Sequence, residues 1–114
     1  SKDMWLEMEF LYPYQSSFIK GFIDLVFRYE GSYYILDWKT NFLGSSDEEY
    51  SLEKMQQCME KNEYFLQASI YTEAVCRYTS LFEKKATVSS VIYFFVRGKK
   101  PFVFKPNLKR LLWK

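Results

Sequence analysis

Apolar and polar residues alternate over residues 5–12 (WLEMEFLY), which predicts a strand ended by Pro13. Leu6, Met8 and Phe10 fall on one face of it, and Trp5, Glu7, Glu9 and Leu11 on the other. Residues 18–29 and 32–40 read as two further strands, joined by Glu30-Gly31, whose glycine suits the positive φ of a tight hairpin turn. Residues 41–44 read as a loop, and Ser46 to Glu49 has the S-x-x-E spacing of a helix capping box. Residues 47–82 follow helical spacing, and a change of apolar face near Asn62 and Tyr64 divides them into two helices. In the second helix Leu66, Ile70, Ala74, Tyr78, Leu81 and Phe82 form a stripe that reads as core. Residues 90–96 (SVIYFFV), almost wholly apolar, predict a strand buried on both faces, stopped by Gly98; residues 102–104 suit an edge strand. The order βββααβ(β) is that of an α/β fold, a mixed central sheet covered by helices.

Composition narrows the chemistry more than the fold. A chain of 114 residues is a single domain with one modest core. The net charge of +2 does not by itself select or exclude a nucleic-acid partner. The basic excess lies late, at Arg97, Lys99, Lys100, Lys105, Lys109, Arg110 and Lys114; it reads first as a solvated edge and tail, and otherwise as a phosphate-contacting rim. Cys58 and Cys76 form no metal-binding spacing and read as reduced thiols of a cytoplasmic protein, with no signal peptide or bilayer-spanning run. With no histidine anywhere, hydrolytic chemistry within this chain falls to carboxylates, lysine, tyrosine or a metal ion.

The hairpin supplies candidates. If Glu30-Gly31 is a two-residue turn, paired positions sum to 61 and Asp24 faces Asp37. Their Cβ atoms then lie about 4.5–5.5 Å apart. Lys39, two residues beyond Asp37, shares that face. Two facing carboxylates among Phe22, Ile23, Leu25 and Val26 must be paired, protonated or bound to a cation. Two readings stand: a divalent ion held by Asp24 and Asp37, or Lys39 neutralising one aspartate. Given the ion, Lys39 would orient attacking water or stabilise charge developing at phosphorus.

Gly21-Phe22-Ile23-Asp24 followed by Leu36-Asp37-Trp38-Lys39-Thr40-Asn41 resembles the PD-(D/E)XK nuclease superfamily, and within it the RecB-type nuclease domains of exodeoxyribonuclease V. Glu7 to Phe10 resembles that family's first core strand. Tyr64 to Gln67 with Tyr71-Thr72 is similar to its Q-x-x-x-Y helix motif, and Val91 to Gly98 to the strand after it. The resemblance implies a restriction-endonuclease-like α/β/α core, cleavage of DNA with Mg²⁺ (or Mn²⁺), and Asp24, Asp37 and Lys39 as catalytic residues. It also implies Gln67 and Tyr71 as site-lining groups, against a helix cap and core packing as the plain alternatives. Glu7 matches an acidic position of the family, or is an ordinary exposed strand glutamate.

Relatives carry a histidine metal ligand on a helix upstream of the first strand. With neither here, the resemblance implies a C-terminal fragment of a longer helicase–nuclease subunit, working on double-strand DNA ends in recombinational repair beside RecC- and RecD-like subunits. No P-loop is present, so ATP-driven unwinding lies elsewhere, and two cysteines cannot hold a four-cysteine iron–sulfur cluster. The alternative is a catalytically incomplete nuclease fold that binds DNA or a partner subunit without cutting.

Overall fold

The computed structural model describes residues 3–106; Lys109, Arg110 and Lys114 of the basic tail lie outside them. Five strands form one mixed sheet in the order β1-β2-β3-β4-β5. They are β1 (Met4–Tyr14), β2 (Ser17–Tyr29), β3 (Ser32–Lys39), β4 (Val88–Phe95) and β5 (Lys100–Phe104). Neighbours pair antiparallel except β3 and β4, which are parallel and joined by a crossover of a 3-10 turn (Asp47–Tyr50) and two helices, α1 (Leu52–Lys61) and α2 (Tyr64–Thr79). Both helices contribute to one core, Met59 from α1 and Val75 from α2 packing with the inward sheet residues Ile23, Val26, Ile35, Val91 and Phe95. The sheet's other face carries Tyr34, Leu36 and Trp38, and no described element packs over it.

The second hairpin forms as its sequence predicts. Glu30 (φ 48°) and Gly31 (φ 83°) both take positive φ, the signature of a type I′ turn, and set the register Tyr29–Ser32 through Leu25–Leu36.

Pro13 does not end β1. The strand continues through the pairs Pro13–Phe18 and Tyr14–Ser17, because β1 lies at the sheet's edge, where a missing N–H need not break a ladder. The expected faces of β1 also change. Trp5 packs on the core with Met8, Phe10 and Tyr12, while Leu6 is exposed. The parity switch falls at Glu7, whose φ of 50° interrupts the alternation; opposite it, the fully buried residues of β2 are Ile23 and Val26, three apart. Both strands therefore exchange faces at the level of Asp24.

The expected capping box is displaced as well. Ser46 makes no side-chain cap bond, and Ser51 caps α1 by accepting the Lys54 N–H at 3.2 Å. Residues 81 and 82 of the expected stripe lie beyond α2, and Leu81 is exposed.

The turn after β4 leans on the crossover. A Cβ on Gly98 would stand 2.2 Å from Cγ of the buried Tyr50, whose hydroxyl accepts the Leu43 N–H at 3.1 Å. Gly98→Ala is expected to lower unfolding free energy by about 1–3 kcal/mol in urea denaturation, because the ring cannot retreat without losing that bond.

Candidate active site

The register delivers Asp24 and Asp37 to one place by a route slightly different from simple pairing. The backbone ladder stops at Leu25–Leu36, and the Asp24 side chain extends it: its Oδ2 accepts the Trp38 N–H at 2.8 Å. Asp24 is thereby fixed beside Asp37, close enough that its charge and hydrogen bonding both raise the Asp37 pKa.

Asp37 is buried, and Lys39 Nζ lies 2.7 Å from its Oδ2. Even so, the Asp37 pKa is raised above the ordinary carboxylate range. Burial pushes it up furthest, Lys39 pulls it down and Asp24 pushes it up again. Desolvation thus outweighs an ion pair of good geometry, leaving a carboxylate that one ammonium does not fully satisfy.

Lys39 is held from several sides. Its Nζ stands 3.9 Å from the Tyr64 ring centroid and 4.9 Å from that of Tyr93, and donates to Gln67 Oε1 at 3.4 Å. Tyr93 sits beside Asp37 in the parallel ladder and donates its hydroxyl to the same Gln67 oxygen at 2.5 Å. Two donors on Oε1 orient the amide, turning its N–H₂ away from this cluster. The Tyr93 phenol is pushed strongly up by burial, then by Asp37, so it remains a donor. Asn41 Nδ2 donates to the Tyr64 hydroxyl at 3.2 Å and ties the loop after β3 to the cage.

Of the residues singled out by sequence, Asp24, Asp37, Lys39 and Gln67 come together. Gln67 lies within the first turn and a half of α2, its N–H bonded to Glu63, and does not cap the helix. Tyr71 is buried edge-to-face on Phe10, with its phenol pushed up by burial and by the charges of Asp37 and Asp24; it is core and site wall together. Glu7 is exposed, and among the described residues no hydrogen bond or ion pair links it to the site. Tyr64, Tyr93 and Asn41 were not among the expected groups. The parallel register would have exposed Tyr93, since alignment of β3 with β4 brings it to Asp37.

The oxygen donors of Asp24 and Asp37 suit a hard divalent cation. Among the described residues no cluster of three or more acidic, cysteine or histidine side chains gathers to hold one. Water or substrate would have to complete the coordination of an ion bound by these two aspartates.

Over residues 1–111 the chain matches the model of the PD-(D/E)XK nuclease superfamily, and it belongs to that superfamily. Its relatives include the RecBCD enzyme subunit RecB of Escherichia coli, 43% identical over 84 residues, or 70% of this chain and 7% of the relative. RecB of Chlamydia pneumoniae is 36% identical over 92 residues (81% and 9%), and that of Borreliella burgdorferi 34% over 98 residues (82% and 8%). The chain therefore spans less than a tenth of the relatives' length.

Proposed function

We propose that this chain is the nuclease core of a RecBCD-type helicase–nuclease, hydrolysing DNA phosphodiesters with Mg²⁺ or Mn²⁺ during the processing of double-strand ends. The observation that carries the reading is the buried Asp37–Lys39 pair with Asp24 fixed beside it. In this reading Asp24 and Asp37 hold the ion. When bound, the ion polarises the phosphodiester and makes water easier to deprotonate. Lys39, caged by Tyr64, Tyr93 and Gln67, directs its positive charge at the phosphoryl group, where negative charge builds during attack. The amide N–H₂ of Gln67 faces a non-bridging phosphate oxygen, and Tyr71 closes the wall behind the carboxylates. Glu7 acts at most through the strand geometry that presents Asp24. The two cysteines, neither in a disulfide, fit a reducing cytoplasm. RecC- and RecD-like subunits are the partners this reading implies.

Metal binding is testable without catalysis. Saturating Mg²⁺ is expected to raise the unfolding free energy of the chain by about 2–3 kcal/mol at a hundredfold excess over Kd. The Asp24→Asn variant should lose most of that gain, although its amide oxygen can still accept the Trp38 N–H. A melting temperature indifferent to Mg²⁺ and Mn²⁺ would favour the second reading, a nuclease fold that binds DNA without cutting, which draws on the two-carboxylate donor set.

A further inference from the structure

A groove of about 470 Å³ opens between the loop after β3 and helix α1, lined by Asn41, Phe42, Lys54, Gln57, Lys61 and Asn62 among others. It is continuous with the site through Asn41, which donates to the hydroxyl of Tyr64, the ring over which the Lys39 ammonium lies. Cys58 and Leu43 form its floor from the core side, and its other groups point away from the core. Phe42 is 65% exposed. Arg97 lies against that ring, its guanidinium carbon 5.9 Å from the centroid, and is pinned there by donating Nε–H to Thr40 O at 2.7 Å. Across the groove Lys54, Gln57 and Lys61 recur at i, i+3 and i+7, along one face of α1. Neither lysine is in an ion pair among the described residues. Glu49 stands on one wall, so phosphates are favoured toward the lysine side.

We propose that this groove seats the single-stranded DNA flanking the bond to be cut, with one base stacked on Phe42 and the backbone running along Lys54 and Lys61. The inference rests on the nuclease reading and adds to it a groove, outside the residues that cut, that seats the flanking strand. An exposed ring with a fixed guanidinium against it offers a stacking surface suited to an unpaired base, since duplex bases are already stacked on one another. The lysines supply sequence-independent attraction to phosphate. A strand in the groove leads directly to Asn41 and the Lys39 cage.

Binding of the full chain to a fluorescent oligothymidylate and to a blunt duplex of equal length, in EDTA, separates the outcomes. Phe42→Ala should weaken single-strand binding about tenfold and duplex binding less than twofold, with Phe42→Trp restoring the former. Lys54→Ala/Lys61→Ala should lower the slope of log affinity against log salt by about 1.4, or about 0.7 for each phosphate no longer neutralised. Phe42 is exposed, so an unchanged circular dichroism spectrum is expected to accompany these changes. Unaltered single-strand affinity in Phe42→Ala, or an equal loss on duplex, overturns the proposal. Cleavage assayed separately with Mg²⁺ keeps the two claims apart: a chain that cuts but ignores Phe42 refutes the groove alone, and one that grips through Phe42 without cutting refutes the nuclease reading alone.

Discussion

Replacing Asp37 by alanine in the intact polypeptide is expected to reduce Mg²⁺-dependent DNA degradation by about a thousandfold or more. The proposed reaction needs an anionic pair to retain the cation, and Asp37 is the buried half of that pair. Its loss removes a ligand and also releases Lys39 from the 2.7 Å ion pair that aims the ammonium. Losing a single group that stabilises developing charge typically costs about 10²–10³ in rate, and here two effects compound. Gel assays of substrate decay by the proposed helicase–nuclease, with its unwinding followed in parallel, provide the measurement. Degradation at near-parental rates with unwinding intact would remove Asp37 from the chemistry. Asp37→Asn should be almost as inactive while folding better, since it keeps the side chain's shape.

The second large effect is on stability. Lys39→Met is expected to lower unfolding free energy by about 3–5 kcal/mol above pH 7, the typical cost of leaving one member of a buried ion pair without its partner. The sign with pH follows from Asp37. Its folded pKa already lies above its unfolded value. Between those two values the folded state binds more protons, so this group's contribution to stability falls as pH rises through the window. Removing Lys39 takes away the influence that holds the pKa down, widening the window upward. Urea denaturation between about pH 4 and pH 8 should therefore show parent and variant converging in acid and diverging in base. Lys39→Met/Asp37→Asn should recover most of the loss. A variant as stable as the parent at about pH 8 would mean that the lysine contributes no net stability.

The groups legible in sequence were those fixed by local geometry. A glycine in a two-residue turn sets the register as far as Leu25–Leu36, and the Asp24 side chain, accepting the Trp38 N–H, completes the approach to Asp37 and Lys39 within the same hairpin. What stayed hidden depends on long-range placement. Tyr93 reaches Lys39 only because β4 lies parallel to β3, and its apolar run carries no mark of that neighbour. Tyr64 joins from the first residue of α2, a contact with Lys39, 25 residues earlier, that spacing along one helix does not encode. Glu7 defeats the alternation rule for a different reason: a positive φ in a non-glycine residue leaves no compositional trace, yet it exchanges the faces of the strand. Pro13 was the reverse case. Its residue type is informative, but the information concerns strand position at the sheet's edge rather than strand length.

The crossover between β3 and β4 also sets an order of events during folding. Hairpins of the kind that carries the aspartates close in about 1–10 μs, whereas a parallel pair must first close the intervening chain. A polypeptide leaving the ribosome would present the carboxylates and Lys39 well before Gln67 and Tyr93 arrive to orient the ammonium. Full positioning of the lysine is thus reserved for the finished fold, and a chain cleaved between α2 and β4 would keep its aspartates, Tyr64 and Gln67 while losing Tyr93, the wall of the cage that β4 supplies.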